Sequence, residues 1–356
     1  MNMLDLIVTL SKNRIEHNDK CEIEEYLKKG ADWSLLMGQL IFHKLLCRTY
    51  SHITAQNWDE HIPSVIKQHM QRQFYLNEHK KSNIKIELMN LVKRLNNTNI
   101  QYCIIKGIPL EKDLFCDCVR EINDIDVLIH QKDLDQANEI LTSLGYKHGA
   151  DFMQGKIETN KEKNVDCIAN TRQAQSYRKT LNDPIYQVNT IDLQFELYLQ
   201  EKLCYIFSMD SAIKKRICVD ISGVNCYVLD SFDNFIFLCT HLYAEAILFR
   251  TIKKYKDLQI SKFADIYEWL EKYYCLYDWE QKAKQIKSQR LLKPVLFCMY
   301  IISSVYGSMG AKNICEQFMD ENLDFIDEYR DENFNIKRWK LPAVERIFRF
   351  DRSSMM

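Results

Sequence analysis

The chain has 356 residues, 46% of them hydrophobic and 27% charged, with 48 Lys+Arg against 49 Asp+Glu and a formal net charge of -1. These proportions suit a globular chain long enough for two lobes and exclude disordered, collagen-like and coiled-coil compositions. Balanced charge gives no global attraction to nucleic acid or anionic lipid, so neither is expected as a partner.

With only 9 Gly and 5 Pro, the chain favours helices over a loop-rich sandwich. Its 13 Cys are odd in number, scattered and without a C-x-x-C pair. They read as reduced, mostly buried small apolar residues in a cytoplasmic protein. No basic region precedes a long apolar core at the N-terminus, so no signal peptide is expected.

Residues 1–97 read as helices. Leu35, Leu36, Leu40, Ile41, Leu45 and Leu46 recur at helical spacing. The stretch from Pro63 to Leu95 carries Ile66, Met70 and Phe74 on one stripe, then Ile84, Leu88, Leu91 and Leu95 on the next. Asn96-Asn97-Thr98-Asn99 is a stop signal. The pattern changes over residues 98–230, an α/β core. Gln101 to Ile105 is β-prone, Lys106-Gly107 leads into a short helix to Phe115, and Asp124 to Ile129 forms a second strand. A helix from Lys132 to Leu144 ends at Gly145-Tyr146. Residues 147–183 are polar and irregular, with room for a hairpin or a mobile flap. Ile185 to Leu199 starts as a strand, and Ser222-Gly223 turns a hairpin between Arg216–Ile221 and Val224–Leu229. Residues 231–356 return to helix, with Ser231 as N-cap. The apolar run from Val295 to Val305, broken by Ser303 and Ser304, falls well short of the ~20 residues that span a bilayer and reads as a core helix.

The sharpest chemical signal is Asn123-Asp124-Ile125-Asp126-Val127-Leu128-Ile129. Side chains alternate along a strand, so Asp124 and Asp126 point the same way, roughly 6.5–7 Å apart. Ile125, Val127 and Ile129 point into a core. Two neighbouring carboxylates repel unless a cation lies between them, and a divalent metal with oxygen ligands is the natural solution. Gly107, at a strand-to-helix junction, lets backbone N–H groups approach a phosphate, and Lys106 adds a point charge. A two-metal site takes a further carboxylate from another strand. Asp192, Gln194 and Glu196 share one strand face; Asp192 is preferred because it lies nearest the strand mouth, with Glu196 in reserve. His241 and Glu245 stand at i, i+4, a spacing compatible with metal but more common for a structural histidine. The aromatics Tyr267, Trp269, Tyr273, Tyr274 and Tyr277 read as core.

The series Ile105-Lys106-Gly107-Ile108-Pro109-Leu110, Arg120, Asp124-Ile125-Asp126-Val127-Leu128-Ile129, Ala137 and Leu144-Gly145-Tyr146 resembles the uncharacterised nucleotidyltransferase family of the polymerase-β-like superfamily. The likeness runs from about Trp33 to the helices holding His241 and Asp265. It implies an α+β fold: a small mixed sheet flanked by N-terminal and C-terminal helical segments. It also implies two-metal Mg²⁺ chemistry at Asp124, Asp126 and Asp192, moving an NMP from an NTP such as ATP to a hydroxyl on a small molecule, sugar or peptide. Lys106, Gly107 and Arg120 would serve the nucleotide, although Arg120 equally suits an ion pair with Asp124 or Glu121. His241 and Asp265 would line the acceptor cleft. Family members often read Asp/Glu-Leu-His-Trp on the third strand, where this chain reads Asp192-Leu193-Gln194-Phe195. The rival expectations are an inactive nucleotide-binding module and a tRNA-modifying nucleotidyltransferase toxin with a basic stripe.

Overall fold

The computed structural model describes residues 1–116, 118–149, 151–153, 156–158, 174, 176–196 and 208–356. Two units interleave along the chain. One takes Met1–Phe74, Leu114–Glu121 and Phe235–Met356; the other takes Tyr75–Asp113 and Ile122–Asn234.

The first unit is mainly helical. It opens with α1 (Met3–Ser11), where Asn2 accepts the backbone N–H groups of Leu4 and Asp5 and Asp5 accepts that of Asn2, a reciprocal cap. Helices α2 (His17–Lys28), α3 (Trp33–Phe42) and α4 (Leu46–Gln56) follow. Helices Ser231–Ile247, Ile260–Tyr273 and Leu292–Tyr306 supply most of its C-terminal part. Trp269 is fully buried and stacks on Phe235 at 4.5 Å and on Tyr277 at 5.7 Å, so it is core, whereas Tyr267, Tyr273, Tyr274 and Tyr277 around it are half-buried. Two features depart from the sequence reading. Asp230, not Ser231, caps the helix that follows, accepting from Phe232 and Asp233 N–H; a carboxylate one residue earlier outcompetes the serine hydroxyl. The C-terminal part is also not wholly helical, because Glu328–Arg330 pairs antiparallel with Ile336–Arg338. The Asp331-x-Asn333-x-Asn335 turn, held by hydrogen bonds to the Asp331 carboxylate, closes that hairpin.

The long helix α5 (Ser64–Asn96, 33 residues) begins just after Pro63. Its C-terminal half presents Ile84, Leu88, Leu91 and Leu95 to the second unit's core. Then come β1 (Tyr102–Ile105), α6 (Gly107–Leu114), β2 (Ile125–Ile129), α7 (Leu134–Ser143), β3 (Lys147–His148), β4 (Asp151–Met153), β5 (Lys156–Glu158), β6 (Tyr177–Thr180), β7 (Val188–Gln194), β8 (Ile217–Ile221) and β9 (Val224–Val228). Seven of these strands form one mixed sheet in the order β3-β6-β7-β2-β1-β9-β8. Strands β4 and β5 make the hairpin that the polar stretch allowed, while β3 and β6, legible as loop, join the sheet edge. Residues 159–173 of the expected flap and 197–199 of the β-prone stretch lie outside the described residues.

Alternation decides which face of β2 is apolar. Ile125, Val127 and Ile129 pack with Ile191 and Leu193 of β7 and Ala137 and Leu141 of α7 in one cluster. Each of these Ile, Val and Leu side chains contributes roughly 1.5–3 kcal/mol by leaving water. Below them a buried polar chain ties β7 to α5: Tyr186 Oη donates to Asn189, Asn189 Nδ2 to Tyr146 Oη, and Tyr146 Oη to Glu87, which Lys179 Nζ also contacts at 2.9 Å. With that face fixed, Asp126 must face the other way.

Among the described residues no helix is long and apolar enough to cross a membrane, and no cysteine forms a disulfide.

Candidate active site

Strand β2 begins at Ile125, so Asp124 stands just ahead of it rather than within it, and Asp126 is its second residue. Strand β7 runs parallel to β2, with Asp126 opposite Asp192 and Leu128 opposite Gln194. Parallel neighbours lie about 4.8 Å apart. The third-strand acid chosen from the sequence is therefore the register partner of the second acid of the dyad.

The other wall is the junction of β1 and α6. Lys106 and Gly107 both adopt left-handed backbone, with φ of +66° and +62°. A β-carbon on Gly107 would meet nothing closer than Asp124 O at 3.6 Å, so backbone conformation rather than space calls for glycine there. Lys106 bears the same conformation without that freedom, a local strain of the kind that collects at functional sites. The sharp turn brings its ammonium to 3.5 Å from Asp126 Oδ2.

Asp126 is 6% exposed. Gln194 Nε2 donates to its Oδ1 at 2.8 Å. Burial pushes the Asp126 carboxyl up to about 7; Lys106 opposes the rise, and the negative charges of Asp124 and Asp192 reinforce it. Asp192 is also raised, mainly by burial and further by Asp124, against a hydrogen bond from Ser176 and the charges of Lys106 and Arg178. Asp192 Oδ1 and Gln194 Oε1 are sealed from solvent without a hydrogen-bond partner. Such orphaned oxygens are costly and accommodate a cation or a donor.

Three carboxylates, an orphaned buried oxygen and depressed acidity are the donor chemistry of a divalent hard cation. The residues fit such an ion in kind. As they stand, no group of three His, Cys, Asp or Glu among the described residues converges closely enough to hold one, and Lys106 is the cation that meets Asp126.

A sequence model of a family described as "Uncharacterised nucleotidyltransferase" matches residues 29–307. The chain belongs to this nucleotidyltransferase family. A structural comparison also finds a crystal structure of an antigenic nucleotidyltransferase-like protein from Paracoccidioides brasiliensis, at 13% identity and a TM-score of 0.31, covering 55% of this chain and 76% of that one. No match is found among curated proteins.

In this nucleotidyltransferase the remaining expected site residues belong to the first unit. Arg120 grips Asp265, with Nε at 3.0 Å from Oδ1 and Nη2 at 2.8 Å from Oδ2. Asp265 is 3% exposed and the Arg120 side chain 17%, so this bidentate pair is largely shielded from water. The partner is neither of the acids considered from the sequence; Asp124 and Glu121 are near in the chain, whereas Asp265 lies 145 residues away. The pair anchors the short segment Leu114–Glu121, which has its own further ties: Arg48 bonds Val119 O and stacks on Phe115. His241 meets Glu245 at 3.4 Å, and Lys262 bonds the same carboxylate. The structure thus brings Lys106, Asp126 and Asp192 together, with Asp124 acting on both acids through its charge. It places Arg120, Asp265 and His241 in other pairs.

Sequence reasoning placed Gln194 on one strand face with Asp192 and noted it as a departure from related sequences, but missed its bond to Asp126. Its i+2 spacing from Asp192 was the available signal. Lys80 was missed altogether: it bonds the Asn123 side chain, next to Asp124, and lies over the Tyr186 ring at 5.6 Å. Nothing in the polar pattern of a long helix singled it out.

Proposed function

We propose that the protein transfers a nucleoside monophosphate from an NTP to a hydroxyl acceptor, with Mg²⁺ held by Asp124, Asp126 and Asp192. The observation that carries this reading is the Asp126–Asp192 register on parallel strands, facing Lys106. A bound divalent ion would supply positive charge to the phosphoryl oxygens and the pyrophosphate leaving group.

The chain's own residues have distinct tasks. Lys106 is placed to offer its ammonium to a phosphate, and Gly107 opens α6, whose first-turn N–H groups lack intrahelical acceptors. Gln194 fixes the Asp126 carboxylate through Oδ1. Asp192 Oδ1, which is buried and accepts no hydrogen bond, is the atom we assign to receive the proton of the acceptor hydroxyl. Arg120 pins the Leu114–Glu121 segment to Asp265 within the first unit. The acceptor class is a small molecule, sugar or peptide hydroxyl.

The test is to incubate the protein with each α-labelled NTP, Mg²⁺ and cell extract. Labelled product and pyrophosphate are expected, with Asp126→Asn and Asp192→Asn slower by about 10²-fold or more, the usual effect of removing one preorganised electrostatic group. Transfer by Asp126→Asn at the wild-type rate would refute the assignment. NTP binding indifferent to Mg²⁺, with no product, would indicate a binding module instead.

A further inference from the structure

We infer that Asn189 is the register key of β7, a positioning residue that sets Asp192 opposite Asp126. This rests on the transferase reading only in taking Asp192 as a site residue.

Apolar alternation fixes the faces of β7 but not its register. Ile191 and Leu193 join the apolar cluster, so Thr190, Asp192 and Gln194 face the other way. A slip of one residue against β2 would turn the acid into the core and is excluded. A slip of two, about 6.6 Å along the strand, keeps every aliphatic side chain on its own face. It would set Thr190 or Gln194 opposite Asp126 in place of Asp192.

Asn189 breaks that degeneracy. It is the polar one of the three β7 side chains on the apolar face, and it is 0% exposed. Its Oδ1 accepts from Tyr186 Oη at 2.9 Å, and its Nδ2 donates to Tyr146 Oη at 2.6 Å. Tyr186 lies three residues away and travels with the strand. Tyr146 does not: its backbone N–H is held by Leu141 O of α7, and its hydroxyl donates to Glu87 of α5 at 2.8 Å. A two-residue slip would bury the Asn189 amide away from Tyr146. A buried polar group left without its partner disfavours that arrangement roughly 5- to 150-fold. Lys179, the register partner of Asn189 on β6, bonds the same Glu87, so the β6–β7 hairpin is keyed to one post. The other tie of this hairpin to α5, His79 to Asp183, lies partly in solvent and discriminates little. A single buried asparagine fixes the register of a coiled coil by the same means.

The experiment uses the full chain with methyl-labelled Ile, Leu and Val. It reads the Ile125–Ile191 methyl contact, the number of Ile191 and Leu193 signals, thermal unfolding and NMP transfer. Asn189→Leu combined with Tyr186→Phe removes the key without stranding the Tyr186 hydroxyl. Tyr146→Phe removes the fixed half of the lock from another element. Both are expected to fold and to show a second set of Ile191 and Leu193 signals, with about half or more of the wild-type set lost as the registers approach equal energy. The kcat for transfer should fall in proportion to the wild-type signal lost, with the KM for NTP unchanged. Ile191→Val, which only thins the core, should lower the unfolding midpoint yet keep one register and the wild-type kcat. One set of signals with the wild-type Ile125–Ile191 contact in both variants would overturn the inference. Failure of both to fold would also overturn it, since the network would then be a stabiliser; if one folds, its spectrum decides. A second register in the variants, with no transfer by wild type, would uphold the inference while refuting the transferase reading.

Discussion

Asp126 is held in the folded chain at a cost in stability, and neutralising it should reveal that cost. Its carboxyl rises from an ordinary 3.8 to about 7. The folded state therefore keeps a proton that the unfolded chain releases between about pH 4 and pH 7. Stability falls as pH rises through that window and is flat above it. About three pH units at 1.36 kcal/mol each give about 4 kcal/mol. Part of this returns in Asp126→Asn as Lys106 loses its partner, leaving about 2–4 kcal/mol of net gain in the metal-free variant above pH 7. For a unit of this size that is roughly 5–10 °C in Tm. The assay is thermal unfolding of wild type and Asp126→Asn in EDTA from pH 4 to pH 9. The variant should match wild type or be slightly less stable at pH 4 and more stable at pH 8, and added Mg²⁺ should raise the Tm of wild type only. A variant destabilised equally at both ends would show that burial of the carboxylate is not the cost described.

Three further outcomes follow from other contacts. Asp265→Ala leaves the Arg120 guanidinium buried without its bidentate acceptor and should cost about 3–5 kcal/mol in denaturant unfolding, with Asp265→Asn intermediate; a loss under about 1 kcal/mol would contradict the anchoring role. Glu87→Leu removes the acceptor shared by Tyr146 and Lys179 and should cost about 2–4 kcal/mol, whereas Asn189→Leu should loosen β7 as judged by faster amide exchange at Ile191. Gly107→Ala should cost about 1–2 kcal/mol from backbone strain alone, since no atom obstructs the added methyl; a neutral substitution would mean that the junction relaxes.

What the sequence made legible was local. Period-two alternation placed Ile125, Val127 and Ile129 in the core and Asp126 opposite them, because strand geometry leaves no other choice once one face is apolar. Helical stripes gave α5, and Ser222-Gly223, with φ of +54° and +80°, turned the β8–β9 hairpin as its residue types require. Asp192 was chosen by position on its strand, and the register with Asp126 is what the structure adds.

What escaped depends on pairs distant in sequence. The Arg120–Asp265 pair spans 145 residues, and no local spacing encodes it. Strands β3, at the sheet edge, and β6, beside it, are short and polar, carrying Lys147, His148, Arg178 and Lys179, so they looked like loop. The partition into units was equally hidden. Composition divides the chain into consecutive segments, whereas Leu114–Glu121 packs with residues far from its neighbours in sequence. The polar network under β7 drew no notice because Tyr146, Asn189 and Glu87 lie on three separate elements.

The most direct measurement of the central claim is an anomalous diffraction map from crystals grown with Mn²⁺ and a non-hydrolysable NTP. The account predicts a Mn²⁺ peak bounded by the carboxylates of Asp124, Asp126 and Asp192, with the triphosphate reaching Lys106 and the start of α6. Nucleotide bound elsewhere, or bound there with no metal against those three acids, would contradict it.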